Sequence, residues 1–287
     1  MSETQGQRRF AFPVNRKSIV KNIRNMNQTN KQINAILSRG FGKDRMMQKS
    51  LAASQRNNKR TVIDPDDIDV SRVLEISKML TEETEDLGVI IHPIPYEAIK
   101  DDTPATLNIV LQELGLYTFP TKELTDFLHA EIDDDPELEP HSAIEICSGT
   151  GWIGRTLGIP TTDSRIQERE DIREQYLRHG AVPITYPMDI EPLDAISAIR
   201  RYEPEYVIAS YCTHLYGTGN LKAGNSLGVD TRWVRSHCHR FYHIGNDDIH
   251  YRDPIMKIPH KRLSFDWLVT RGDSSKARIY VWENKMW

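Results

Sequence analysis

The stretch Glu145-Ile146-Cys147-Ser148-Gly149-Thr150-Gly151 sets an acid before a short run in which glycines recur at alternate positions. Glycine serves where a backbone must turn left-handed or come close to a ligand, so such a run can seat a bound molecule against main-chain groups. A second reactive stretch, Ser210-Tyr211-Cys212-Thr213-His214, places hydroxyl, phenol, thiol and imidazole within five positions. An imidazole, here that of His214, suits removal of a proton from an attacking nitrogen, oxygen or carbon acid. Its plainer alternative is a histidine that hydrogen-bonds the following loop. Asn246 and Asp247 supply amide and carboxylate partners for a substrate, or they cap a turn. His237, Cys238, His239 and His243 raise a metal site, but a strand sends alternate side chains to opposite faces and no second ligand pair stands at a usual spacing.

Elements to hold these groups are legible in the apolar pattern. After the acidic, proline-marked linker Asp133-Asp134-Asp135-Pro136, short apolar strands alternate with helices, the pattern of an α/β protein with a doubly wound parallel sheet. Strands are expected at 143–147, 161–163, 182–186, 206–211, 241–244, 267–271 and 277–282. The last two are separated only by Gly272-Asp273-Ser274-Ser275-Lys276, short enough for an antiparallel hairpin. Ahead of the linker, residues 61–140 read as a helical subdomain. It has a helix from about Val70 towards Gly88, one around 105–114, and one opened by Thr121 and running to about Ile132. The glycine- and asparagine-rich stretch 215–225 is either a lid over the rim of the sheet or a flexible connection. Trp233, Trp267, Trp282 and Trp287 are expected in core and hairpin packing.

A parallel sheet ending in a hairpin, with a glycine-rich turn after its first strand, resembles the class I S-adenosylmethionine (SAM)-dependent methyltransferases over about half the chain, residues 141–287. The family's acid would be Glu145 and its glycines Gly149 and Gly151, with Cys147 in place of the first glycine. The resemblance implies SAM as cofactor. Gly149 and Gly151 would clear room for the methionine moiety, Asp163 would accept hydrogen bonds from the ribose hydroxyls, and Asp189 would lie near the adenine with Ile190 covering the ring. Ser210 would join this cofactor set. Gly149-x-Gly151-x-x-Gly154 alone also fits a dinucleotide fold, but there the ribose acid is expected about 20 residues past the first glycine. Asp163 follows Gly149 by 14. The strings around Thr162, His214 and Asn246, and that ending at His260, look like a methyltransferase-like family of bacteria and their phages, which leaves the substrate open.

By the same resemblance the acceptor would meet the carboxyl end of the fourth strand, with His214, Tyr211 and Asn246 nearest the reacting group. The proline tetrad of amino-group DNA methyltransferases is missing there. Cys212 lies where a cytosine C5 nucleophile would, but follows tyrosine rather than proline; a small buried residue is its simpler reading.

Charge adds a partner to this picture. The chain of 287 residues has a formal net charge of −4, yet residues 1–60 carry 14 Lys and Arg against 2 Asp and Glu, leaving a strongly acidic remainder. A basic arm with an amphipathic helix over roughly 16–38 points to nucleic acid or an acidic protein surface as partner. A solvated tail is the bland alternative. Three cysteines at no metal-ligand spacing, with no apolar run fit for a signal peptide or membrane span, suggest a cytoplasmic compartment. The sequence thus predicts a SAM-dependent methyltransferase of unspecified acceptor. Its rivals are a non-catalytic methyltransferase-like scaffold, or viral structural protein, docked through the arm, and a small-molecule methyltransferase whose basic tail is incidental.

Overall fold

A computed structural model describes residues 68–133, 142–178, 183–215, 224 and 226–284. The basic arm 1–60, part of the acidic linker and most of the glycine-rich stretch after His214 lie outside the described residues.

Asp69 accepts hydrogen bonds from the N–H groups of Ser71 and Arg72 and so starts helix α1, Val70–Leu80, which buries Val73, Ile76 and Leu80 along one face. The helix stops at Leu80 rather than near Gly88. From there Thr81–Thr84 (β1) and Gly88–Ile91 (β2) form an antiparallel hairpin, because the β-branched Thr81, Thr84 and Val89 favour extended backbone and Gly88, at φ 80°, turns the chain. Helices α2 (Pro104–Glu113, capped by Thr103 with proline at its first position) and α3 (Lys122–Asp133) complete this layer.

The main sheet consists of β3 (Ala143–Ile146), β4 (Tyr206–Ser210), β5 (Arg240–Asn246), β6 (Lys261–Leu263) and β7 (Ala277–Glu283), in the order β3-β4-β5-β7-β6. β3, β4 and β5 run parallel, whereas β7 is antiparallel to β5 and β6 to β7. Beyond β3 the pairing continues as single parallel bridges, Glu145 to Thr161 and Thr162 to Glu191. Between the strands lie α4 (Trp152–Leu157), α5 (Glu170–Arg178), α6 (Ala195–Tyr202) and α7 (Thr231–Ser236), and α8 (Asp247–His250) follows β5.

Side chains alternate across the sheet. Tyr206, Ile208, Tyr242, Ile244, Ile279 and Val281 face a core shared with α1 to α4. Val207, Ala209, Phe241, Tyr280 and Trp282 face a second core with α6 and α7. Covering both faces explains the near-continuous apolar runs of the central strands. The protein is therefore a mixed α/β fold, and residues 68–133, the described part of the expected helical subdomain 61–140, pack as a mainly helical layer on the first face.

Three expected strands are corrected. Segment 161–163 makes only the two bridges. Residues 183–187 carry no strand: Pro183 has no N–H to donate, the Ile184 N–H donates to the Gln167 side chain (2.9 Å), and Ile184 and Tyr186 are buried. Residues 267–271 form no ladder either. Trp267 stacks on Phe265 (4.3 Å between centroids) and contacts Phe127, while Thr270 bridges Thr118. The terminal antiparallel partner is instead β6, so β6 and β7 are joined by residues 264–276 rather than a tight turn. Charged Lys261 and Arg262 suit an edge strand and concealed it in an apolar pattern. Among the described residues no helix is long and apolar enough to cross a membrane.

Candidate functional site

Chain order reverses direction across the sheet at β3 and β4: the next strand-like segment after β3 lies on its outer side and β4 on its inner. Open α/β sheets bind ligands outside the carboxyl ends of the strands at such a point. Here that crevice is walled by the glycine turn after β3 and by Ser210 and Tyr211 at the end of β4.

Within the turn, Cys147, Gly149 and Gly151 all adopt positive φ (52°, 56° and 68°). For Cys147 this costs about 1–2 kcal/mol. Its Sγ lies 3.5 Å from Cys212 Sγ, both thiols being free. That thiol–thiol contact, with burial, pushes the Cys147 thiol well above its ordinary value. Such a thiol is a poor nucleophile. A side chain at Gly151 would strike Ile190 Cδ1, and one at Gly149 would press on Ile184 Cδ1 at 3.1 Å. Ile190 therefore packs against the turn.

The three acids expected to serve one ligand each have an internal partner. Buried Glu145 accepts the Gly154 N–H at Oε2 (2.8 Å), and burial raises its carboxyl to about 8, opposed by that hydrogen bond. Asp163 accepts the Gly149 N–H at Oδ2 (3.0 Å) and the Arg165 N–H at Oδ1 (2.7 Å); burial raises its pKa against these two bonds. Asp189 forms a bidentate pair with Arg155 (2.8 to 3.0 Å), fixing α4 to the segment before Glu191. Beside the turn, a cavity of about 350 Å³ is bounded by Thr150, Ile184, Gly115, Leu74, Ser77 and Lys78. The buried Ser148 Oγ has no hydrogen-bond partner among the described residues.

At the other wall, Ser210 Oγ meets Thr118 Oγ1 at 2.7 Å. Tyr211, at φ 54°, donates its hydroxyl to the Arg271 carbonyl (2.8 Å), and its phenol is raised by burial. Asn246 caps α8 by accepting the Asp248 N–H and donates to the Asp273 carbonyl (2.9 Å), so its amide positions two loops. His214 is buried, with Nε2 unpartnered among the described residues and Gly224 directly over the ring, where a Cβ would come within 2.9 Å of Nε2. Tyr211 and Asn246 thus converge around Thr270 and Arg271, while His214 sits with two further histidines that sequence reasoning did not single out for this site, His243 and His250. Nothing in their spacing marks them; they meet because β5 and α8 fold back on one another.

The His243 and His250 rings pack edge-on at 4.6 Å. Burial holds both below the ordinary imidazole range, His250 at about 4 and His243 well below 6.5. A lowered folded-state pKa means the unfolded chain binds the extra proton between about 6.5 and 4. The His250 contribution is therefore intact above that window and is lost as pH falls through it, amounting to about 3 kcal/mol. Urea midpoints at several pH values should show this acid limb shrinking in His250→Gln; identical limbs in the two proteins would exclude His250 as its source. Among the described residues no group of three His, Cys, Asp or Glu is arranged to hold a metal ion.

These features define a mixed α/β protein with its crevice at the carboxyl edge of the sheet. No protein-family model and no curated protein matches the sequence. Among solved structures, the crystal structure of Thermoplasma acidophilum 1320 is similar at 14% identity and a TM-score of 0.31, covering 64% of this chain and 98% of that one. A likeness so slight carries no feature of that protein to this one.

Proposed function

We propose that the chain is a SAM-dependent methyltransferase of the class I type. The observation that carries this reading is the left-handed glycine turn at the switch point of a parallel sheet closed by an antiparallel terminal pair. The residues present fit the cofactor at two places. Thr150 of the glycine turn lines the cavity, and Asp163, although it accepts from two N–H groups and the Tyr186 phenol, retains a lone pair for a ribose hydroxyl because a carboxylate offers about four. SAM would supply an electrophilic methyl group on a sulfonium. Asp163 would orient it beside the glycine turn, and Ile184 and Ile190, which fill the space over Gly149 and Gly151, would exclude water. Asp189, held by Arg155, acts here by positioning α4 rather than by touching adenine. Tyr211 would line the acceptor side and His214 would take up a proton at Nε2.

One observation favours the rival, a methyltransferase-like scaffold docked to nucleic acid or an acidic protein through residues 1–60: all three candidate acids are satisfied internally. Calorimetric titration of the full chain with SAM separates the two. Saturable heat is expected, weakened about tenfold or more in Asp163→Ala, with Asp163→Asn as the variant that preserves an acceptor for the Gly149 N–H. A wild-type protein that gives no heat sinks the enzyme and leaves the scaffold.

A further inference from the structure

Arg271 stands at the same carboxyl edge, on the opposite side of the crevice from the glycine turn. Its backbone is fixed by an N–H donated to the Tyr117 carbonyl (2.9 Å) and by the carbonyl that receives the Tyr211 hydroxyl. The guanidinium lies over the Tyr117 ring, 4.0 Å from its centroid, and donates one Nη2 hydrogen bond to the Leu111 carbonyl (2.9 Å). Tyr211 meets Tyr117 at 5.4 Å between centroids, and the Tyr176 phenol faces that of Tyr117. Arg72, Arg155 and Arg240 all have carboxylate partners. Arg271 has none among the described residues: the neutral phenols of three tyrosines surround it, that of Tyr117 in hydrogen-bond contact with the guanidinium, and its buried Nε has no hydrogen-bond partner.

A desolvated cation without a counter-charge is costly, and a fold that needed only an apolar filler or a hydrogen-bond donor would be served better by another residue. The cost is explained if the missing counter-charge arrives with a ligand. We infer that Arg271, with Tyr117, Tyr176 and Tyr211 around it, is a recognition site for the carboxylate of a small organic acid. A guanidinium matches a carboxylate through paired N–H donors. Burial keeps the phenol of Tyr176 protonated, hence able to donate, while the Tyr211 hydroxyl stays committed to the Arg271 carbonyl. One uncompensated positive charge fits a monoanion. A phosphate dianion would leave excess negative charge close to Asp163, whose field already reaches Tyr176. All four side chains are half-buried, so the site has both a desolvated floor and an approach from solvent. The inference does not rest on the cofactor reading and is tested without SAM.

The full chain is titrated with benzoate, with its neutral isostere benzamide and with inorganic phosphate, following the melting temperature and the heat of binding. Benzoate is expected to bind saturably in the millimolar range, and benzamide and phosphate not to bind. Arg271→Lys, which keeps the charge but loses the planar fork, should weaken benzoate about tenfold. Tyr176→Phe should weaken it severalfold without unfolding the protein, and supplies the comparison if Arg271→Lys proves unstable. Absence of benzoate binding, equal binding of benzamide, binding of phosphate as tight as benzoate, or a benzoate affinity unchanged in the variants would each overturn the assignment.

Discussion

Gly154→Ala is expected to lower the stability of the folded chain by about 2 kcal/mol, despite the roughly 1 kcal/mol by which alanine favours a helix interior. Gly154 lies in α4, where a Cβ would come within 2.3 Å of Thr161 Cγ2 and within 3.2 Å of Glu145 Cβ. Thr161 is buried and bridged to Glu145, so the methyl of this β-branched side chain has little room to retreat. The added methyl should lift α4 from β3 and lengthen the Gly154–Glu145 hydrogen bond. Urea denaturation would show the midpoint falling with an unchanged slope. Gly158 supplies the contrast: its φ is 69° but nothing lies within 4 Å of its Cβ position, so alanine there costs about 1–2 kcal/mol from backbone strain alone. A Gly154→Ala protein as stable as wild type would mean that α4 is not seated on the strand as closely as described.

Loss of stability at alkaline pH is the second large effect. Burial lifts the Glu145 carboxyl from 4.5 to about 8 in the folded chain, so the folded state binds the extra proton between those values. The contribution is fully present below about 4.5 and is lost as pH rises through about 8, an upper bound of roughly 5 kcal/mol. Above that range a carboxylate must sit under the turn near Asp163, which opposes ionisation. Glu145→Gln preserves an acceptor for the Gly154 N–H and removes the titration. Its stability should be nearly level between about pH 7 and pH 9 while wild type declines. Parallel pH profiles for the two proteins would refute the assignment.

Much of the sheet was legible because its central strands obey a simple rule: buried on both faces, they are apolar throughout. The glycine turn was legible because left-handed backbone leaves a mark on residue type, although Cys147 shows that the mark is imperfect. What failed follows from non-local pairing. Ile184 and Tyr186 alternate like a strand but bury themselves against their surroundings, and no local pattern distinguishes the two uses. β6 was hidden because an edge strand of three residues needs no apolar signature. The acids Glu145, Asp163 and Asp189 were read as ligands of a cofactor, yet their hydrogen-bond partners in the fold include backbone N–H groups and an arginine whose geometry no spacing reveals. Arg271 carries no local signal at all. Its environment is assembled from Tyr117 on the segment after α2, Tyr176 on α5 and Tyr211 after β4.

The core shared by α1 to α4 and the sheet has a consequence for how this chain can be divided. Composition suggests a cut at the acidic linker near residue 140, but Ile76, Leu111 and Leu128 belong to the same cluster as Ile208, Tyr242 and Ile279. A fragment beginning at 141 would expose that side of the sheet to water and is expected to aggregate rather than fold. In native-state hydrogen exchange, the amides of α1 and α2 should open in the same cooperative step as those of β4 and β5. The smallest autonomous unit therefore begins with the helical layer and not with the first strand of the sheet.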